Sequence, residues 1–107
     1  MHIEINTDSN IEGREELAIH VKGVVESALS RFSDRITRVE VHLSDQNGDK
    51  SGQDDKRCMM EVRLEGREPT AVTHQAASLG DAVAGAANKM KRSLESTLER
   101  LKDARRT

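Results

Sequence analysis

Hydrophobic and polar residues alternate in the opening stretch HIEIN, with Ile3 and Ile5 on one side and His2, Glu4 and Asn6 on the other, which predicts a short half-buried strand. Asp8, Ser9 and Asn10 supply turn or cap chemistry, and a helix is expected from near Glu12, with acids in its first turn. Leu17, Val21, Val24, Val25, Ala28, Leu29 and Phe32 recur at three- and four-residue spacing, an amphipathic helix of about five turns. RITRVEVHLSD then alternates with Val39, Val41 and Leu43 inward, and KRCMMEVRLEG repeats the pattern with Cys58, Met60, Val62 and Leu64 inward. Between them QNGDKSGQDD is polar and rich in Gly and Asp, a hairpin loop. TAVTHQAA, after Pro69, is a weaker fourth strand in which either Val72, His74 and Ala76 or Ala71, Thr73 and Ala77 face the core.

From Leu79 the apolar positions Leu79, Val83, Ala86, Ala87, Met90, Leu94, Leu98 and Leu101 fall in one stripe about 100° wide, so a second, long helix closes the pattern. Its first half is built of small residues from Gly80 to Ala87. That predicts a close approach to the first helix, with Gly85 at the contact and Gly23 as its partner.

The element order β-α-β-β-β-α implies an α+β fold, a four-stranded sheet with two helices packed on one face, in a single domain spanning residues 1–107. The other face would carry His2, Glu4, Arg38, Glu40, His42, Met59, Glu61, Arg63 and Glu65 in solvent, as cross-strand charge pairs.

Charge changes this picture more than composition does. The chain is -2 overall, but residues 88–107 hold seven basic side chains against three acidic ones, a local charge of +4, while the preceding residues sum to -6. The cationic stretch NKMKRSLESTLERLKDARR is either a solvated helix end, favoured by the helix dipole, or a face for phosphates. Lys91, Arg92, Lys102 and Arg106 share a broad exposed arc with Glu95, Glu99 and Asp103, and Lys91–Glu95, Glu99–Lys102 and Asp103–Arg106 pairs are expected. Phe32 is the only aromatic residue, so stacking of single-stranded bases is excluded. Any nucleic acid must be held through its phosphates and shape.

That element order, with RITRVEVHL and the run Asn88-Lys89-Met90-Lys91-Arg92-Ser93-Leu94, resembles the hibernation-promoting factor family, the ribosome-associated inhibitors also called protein Y. Lys89 and Arg92 match the basic positions of the family run N-K-L-x-R-x-L, and Met90 and Leu94 its core positions. The resemblance implies a partner in the small ribosomal subunit, with contacts to ribosomal RNA near the messenger and transfer RNA channel and inhibition of translation in starved cells. On helix two it implies RNA contacts from Lys89 and Arg92, supported by Lys91, Arg100, Lys102, Arg105 and Arg106; Lys22, Arg31, Arg35 and Arg38 are secondary candidates. Helix one offers only Lys22 and Arg31 among Glu12, Glu15, Glu16 and Glu26, which keeps a protein-binding regulatory module on the same scaffold as the alternative.

No catalytic constellation emerges: the chain has no glycine-rich phosphate loop or nucleophile elbow, and its carboxylates are scattered. Cys58 and Met60 point opposite to Met59 and His42, so no metal site is expected. The expectation is a binding protein rather than an enzyme, with no cofactor, metal or small-molecule substrate. With one cysteine, no apolar run of membrane length and no leader-like amino terminus, it is expected in the cytoplasm, free of membranes and monomeric when unbound.

Overall fold

The computed structural model describes residues 1–9, 11–46 and 55–106, with side chains through Lys102. The elements run β1 (His2–Thr7), α1 (Arg14–Leu29), a 3-10 turn (Ser30–Phe32), β2 (Ile36–Asp45), β3 (Lys56–Leu64), β4 (Thr70–Ala76) and α2 (Leu79–Arg106). The sheet order is β1-β2-β3-β4, with β1 parallel to β2 and the other pairs antiparallel. A parallel neighbour needs a crossover, and α1 supplies it. α2 packs over β3 and β4 and against α1, and α1 also touches β1, so one sheet face carries both helices.

The alternation places the core where it predicts. Val39, Val41 and Leu43 from β2 and Cys58, Met60, Val62 and Leu64 from β3 are buried, facing Val21, Val25, Leu29, Val83, Met90 and Leu94 from the helices. A side chain buried as fully as Leu94 contributes roughly 1.5 to 3 kcal/mol. The helix expected from Glu12 starts later, at Arg14, because Gly13 takes the left-handed conformation (φ 66°) and breaks the backbone repeat there. Most of the expected hairpin loop, residues 47–54, lies outside the described residues. Beside it, Lys56 Nζ reaches Asp45 at 3.2 Å and Asp55 at 3.0 Å, neutralising two buried carboxylates. The hydrogen bond to Asp55 holds the ammonium pKa above its usual value.

Register decides the face of β4. Cys58 pairs with His74 and Met60 with Val72, and directly opposed side chains share a face, so Val72, His74 and Ala76 point toward the helices. The small residues of α2 serve a different contact from the one their composition predicts. A Cβ at Gly85 would collide with the His74 ring, whereas a Cβ at Gly23 would meet nothing within 4 Å. The close approach is helix to sheet, and α1 and α2 leave an open trough between them.

The open sheet face carries a cross-strand charge pair, as expected, but not between directly opposed residues. Arg38 stands directly opposite Arg63, and Glu4, Glu40 and Glu61 form the next cross-strand row, so these directly opposed residues carry like charge. Opposite charges meet instead on the diagonal and along the strand: Arg38 bonds Glu4 and lies 2.7 Å from Glu40. The Glu4 bond and the Glu40 charge raise the guanidinium pKa.

Candidate nucleic-acid interface

α2 is the element that presents the cationic residues, and its length follows from its two ends. Ser78 Oγ accepts the Asp81 backbone N–H at 3.1 Å, a side-chain cap on the first turn, with Asp81 favourably placed at the positive end of the dipole. A helix of 28 residues spans about 42 Å, while a seven-residue strand such as β4 covers only about 23 Å. The carboxy-terminal half therefore overhangs the sheet. Ala82, Val83, Ala86, Ala87, Met90 and Leu94 are buried, but Leu98 and Leu101, on the same stripe, are half covered.

At about 100° per residue the cations divide around α2. Arg92 lies near the middle of the exposed arc. Lys89 and Arg100 flank it on the β4 side, and Lys91 and Lys102 on the side of α1 and the 3-10 turn. Lys89, Lys91, Arg92, Arg100 and Lys102 are all exposed. Lys89 is nevertheless engaged, because its Nζ donates to the Thr73 carbonyl at 2.9 Å and so covers an acceptor on the edge strand. Arg100 reaches Thr97 Oγ1 at 3.5 Å. Among the described residues Lys91, Arg92 and Lys102 have no ion-pair partner, which leaves their charge available. The side chains of Arg105 and Arg106 lie outside the described residues.

Arg31, Arg35 and Lys102 come together around a cleft of about 380 Å³ beneath the overhang, floored by Phe32, Leu98 and Leu101 and edged by Glu95 and Glu99. The Arg31 guanidinium is 5.2 Å from the Phe32 ring centroid, and its Nη1 lies 3.4 Å from Glu95 Oε1. Glu95 thus pairs across the tertiary structure, where the sequence predicts a pair with Lys91 along the helix. Arg67 joins Arg35, Leu98 and Leu101 in an adjoining cleft of about 230 Å³. Sequence reasoning missed Arg67, since it sits in a turn between Glu65 and Glu68 with no periodic pattern to single it out.

Two secondary candidates stand apart. Arg38 is on the open sheet face, held by Glu4 and Glu40. Lys22 is exposed on α1, about 160° around the helix from His20, which lines the trough. The cationic face assembled by this fold therefore runs along one side of α2 to the 3-10 turn.

Cys58 is buried, and loss of solvation pushes its thiol up to about 12, which leaves it protonated and unreactive at neutral pH. Among the described residues no three His, Cys, Asp or Glu side chains group as metal ligands, and no helix is long and apolar enough to cross a membrane.

A family model described as sigma 54 modulation protein / S30EA ribosomal protein matches residues 3–102. The fold is similar to the Protein Y N-terminal domain of Thermus thermophilus, at 20% identity and TM-score 0.72, covering 91% of this chain and 99% of that one. It is also similar to a ribosomal subunit interface protein from Coxiella burnetii, at 15% identity and TM-score 0.65, covering 92% of this chain and 99% of that one. No curated protein sequence matches the chain.

Proposed function

The chain belongs to the sigma 54 modulation protein / S30EA ribosomal protein family, and on that premise we propose that it binds the small ribosomal subunit through phosphate contacts along α2 and inhibits translation. The observation that carries the reading is the exposed set Lys91, Arg92 and Lys102 without ion-pair partners among the described residues, on a helix that overhangs the sheet and so reaches beyond the body of the protein. Arg31 in the 3-10 turn and Arg35 in the turn that follows it extend this face, with Arg31 partly neutralised by Glu95. The similar structures named for a ribosomal subunit interface and for Protein Y support ribosomal RNA as the polyanion.

The mechanism is occupancy rather than chemistry. Lysine and arginine side chains displace counterions from RNA phosphates, which yields affinity without base reading. With Phe32 as the only aromatic residue, and buried, no platform exists for base stacking. A protein lodged in the messenger and transfer RNA channel blocks translation by excluding those ligands. Co-sedimentation with ribosomes at two salt concentrations tests the reading: binding at low salt that weakens at high salt is expected, and protein left at the top of the gradient at low salt overturns it. Translation in a cell-free extract should fall with the same protein and not with an Arg92→Glu variant.

A further inference from the structure

The start of β2 and the end of β3 are joined by the register that pairs Ile36 with Leu64, and the residues just beyond that pair carry charge. Glu65 N–H donates to the Arg35 carbonyl at 2.8 Å, Arg35 N–H to the Phe32 carbonyl at 2.9 Å, and Arg67 N–H to the Leu64 carbonyl at 3.1 Å. The last of these closes a β-turn whose third residue, Gly66, takes φ 73°, a conformation that favours glycine. Two arginine backbones are thus fixed near each other. Their side chains line one cleft of about 230 Å³ together with Leu64, Glu65, Leu98 and Leu101. Arg35, Leu98 and Leu101 also line the larger cleft that holds Lys102, so the two are continuous beneath the α2 overhang. Among the described residues neither Arg35 nor Arg67 has an ion-pair partner. With Glu65 as the only carboxylate on its walls, the smaller cleft keeps a net positive charge.

We propose that Arg35 and Arg67 together clamp one phosphate group, and that in the ribosome complex this group is a phosphodiester of the RNA backbone. The identity of the RNA rests on the ribosome reading, whereas the clamp itself does not. Each guanidinium presents N–H donors in a planar fork that matches phosphate oxygens, and two forks on one group fix its position as a single lysine cannot. The leucine walls lower the local dielectric and strengthen the attraction. Continuity favours a polyanion over an isolated anion, because the clefts lead from Arg67 past Arg35 to Lys102, where the exposed row on α2 begins. A strand that follows Lys91, Arg92 and Lys102 then turns under the overhang and ends on the clamp. The β3–β4 turn thereby becomes part of the RNA-binding surface, and Arg67 its fixed end.

Titration of the protein alone with inorganic phosphate, read on the arginine Nε–H resonances by NMR against sodium chloride at equal ionic strength, tests the clamp without ribosomes. Arg35 and Arg67 should shift together and saturate with a common Kd on the order of 10 mM, while Arg63 on the open sheet face stays still. No shared shift overturns the clamp. Ribosome co-sedimentation then identifies the source of the phosphate. Arg67→Gln should lower affinity about five- to tenfold and make the slope of log K against log salt shallower by about 0.7 to 0.9, the share of one phosphate, and Arg63→Gln should change neither. Arg67→Lys keeps the charge and the slope but should still lose about threefold, because the fork is gone. The double variant Arg35→Gln, Arg67→Gln should lose less than the product of the single losses, since both groups hold one phosphate, and losses that simply multiply overturn the shared site. Both side chains are exposed and backbone atoms make the bonds that fix them, so thermal melts of these variants should match the parent. Parent-like ribosome affinity in Arg67→Gln overturns RNA as the source. A parent protein that fails to sediment with ribosomes sinks the ribosome reading instead, and the phosphate titration alone then decides the clamp.

Discussion

The imidazole of His74 lies so close to the backbone of α2 that a Cβ added at Gly85 would sit 2.0 Å from its Cδ2 and 2.5 Å from its Cγ. The glycine is required by a histidine on β4, and not by the neighbouring helix. Gly85→Ala should therefore destabilise the protein by about 1 to 2 kcal/mol, because displacing the ring outweighs the helix propensity gained. In a His74→Ala background the same change should stabilise by up to about 1 kcal/mol. Chemical denaturation of the four-member mutant cycle measures the coupling, and additive effects would contradict the contact.

Lys89 links the two elements that His74 and Gly85 also join. Its bond to the Thr73 carbonyl protects an edge strand, so Lys89→Gln should speed amide exchange across Val72–Gln75 while costing less than about 1 kcal/mol globally, as expected for an exposed pair. Hydrogen-exchange mass spectrometry separates this from Arg92→Glu, which should leave β4 exchange unchanged.

On the open face, Glu40 and Glu61 are directly opposed across β2 and β3. Removing one like charge from such a pair should help, and Glu61→Gln is expected to stabilise by about 0.2 to 1 kcal/mol, measured as a higher denaturant midpoint at unchanged slope. Added salt should shrink the gain.

Cys58 makes stability depend on alkaline pH. Its thiol, usually near 9.0, is raised to about 12 by burial. Above pH 9 the unfolded chain releases this proton while the folded protein keeps it, so stability is full below pH 9 and declines as pH rises toward 12. At about pH 10 the loss should approach about 1.4 kcal/mol, and Cys58→Ala should remove this part of the pH dependence. The native thiol should also resist alkylation at pH 8 until the protein is unfolded.

Ribosome affinity should report the phosphates engaged. Lys91, Arg92 and Lys102, with help from Arg35 and Arg100, suggest three to five contacts, hence a slope of log K against log salt of roughly -2 to -5. Reversing Arg92 and Lys102 to Glu should flatten it, since both lie off the buried stripe. Reversing Arg38 and Arg63 on the opposite face should change it little, and an equal loss from both pairs would place the RNA on the wrong surface.

Sequence periodicity by itself determined which way most side chains point. The inward sets Val39, Val41, Leu43 and Cys58, Met60, Val62, Leu64, the buried stripe of α2 and the order of elements all follow from polarity repeating at two or about 3.6 residues. The cationic composition of α2 and the family run around Lys89–Arg92 were legible for the same reason: both are local. Only the tertiary structure decided what those directions meet. TAVTHQAA has no polarity contrast between its two faces, so pairing of Cys58 with His74 had to orient β4. Gly85 announced a close approach but not its partner, and Glu95 met Arg31, 64 positions away, before its helical neighbour. Arg38 and Lys89 look like free cations until register and packing bring Glu4 and the Thr73 carbonyl to them. A repeat encodes the side of an element on which a residue lies, whereas the group across the gap is set by chain closure and packing between segments distant in sequence.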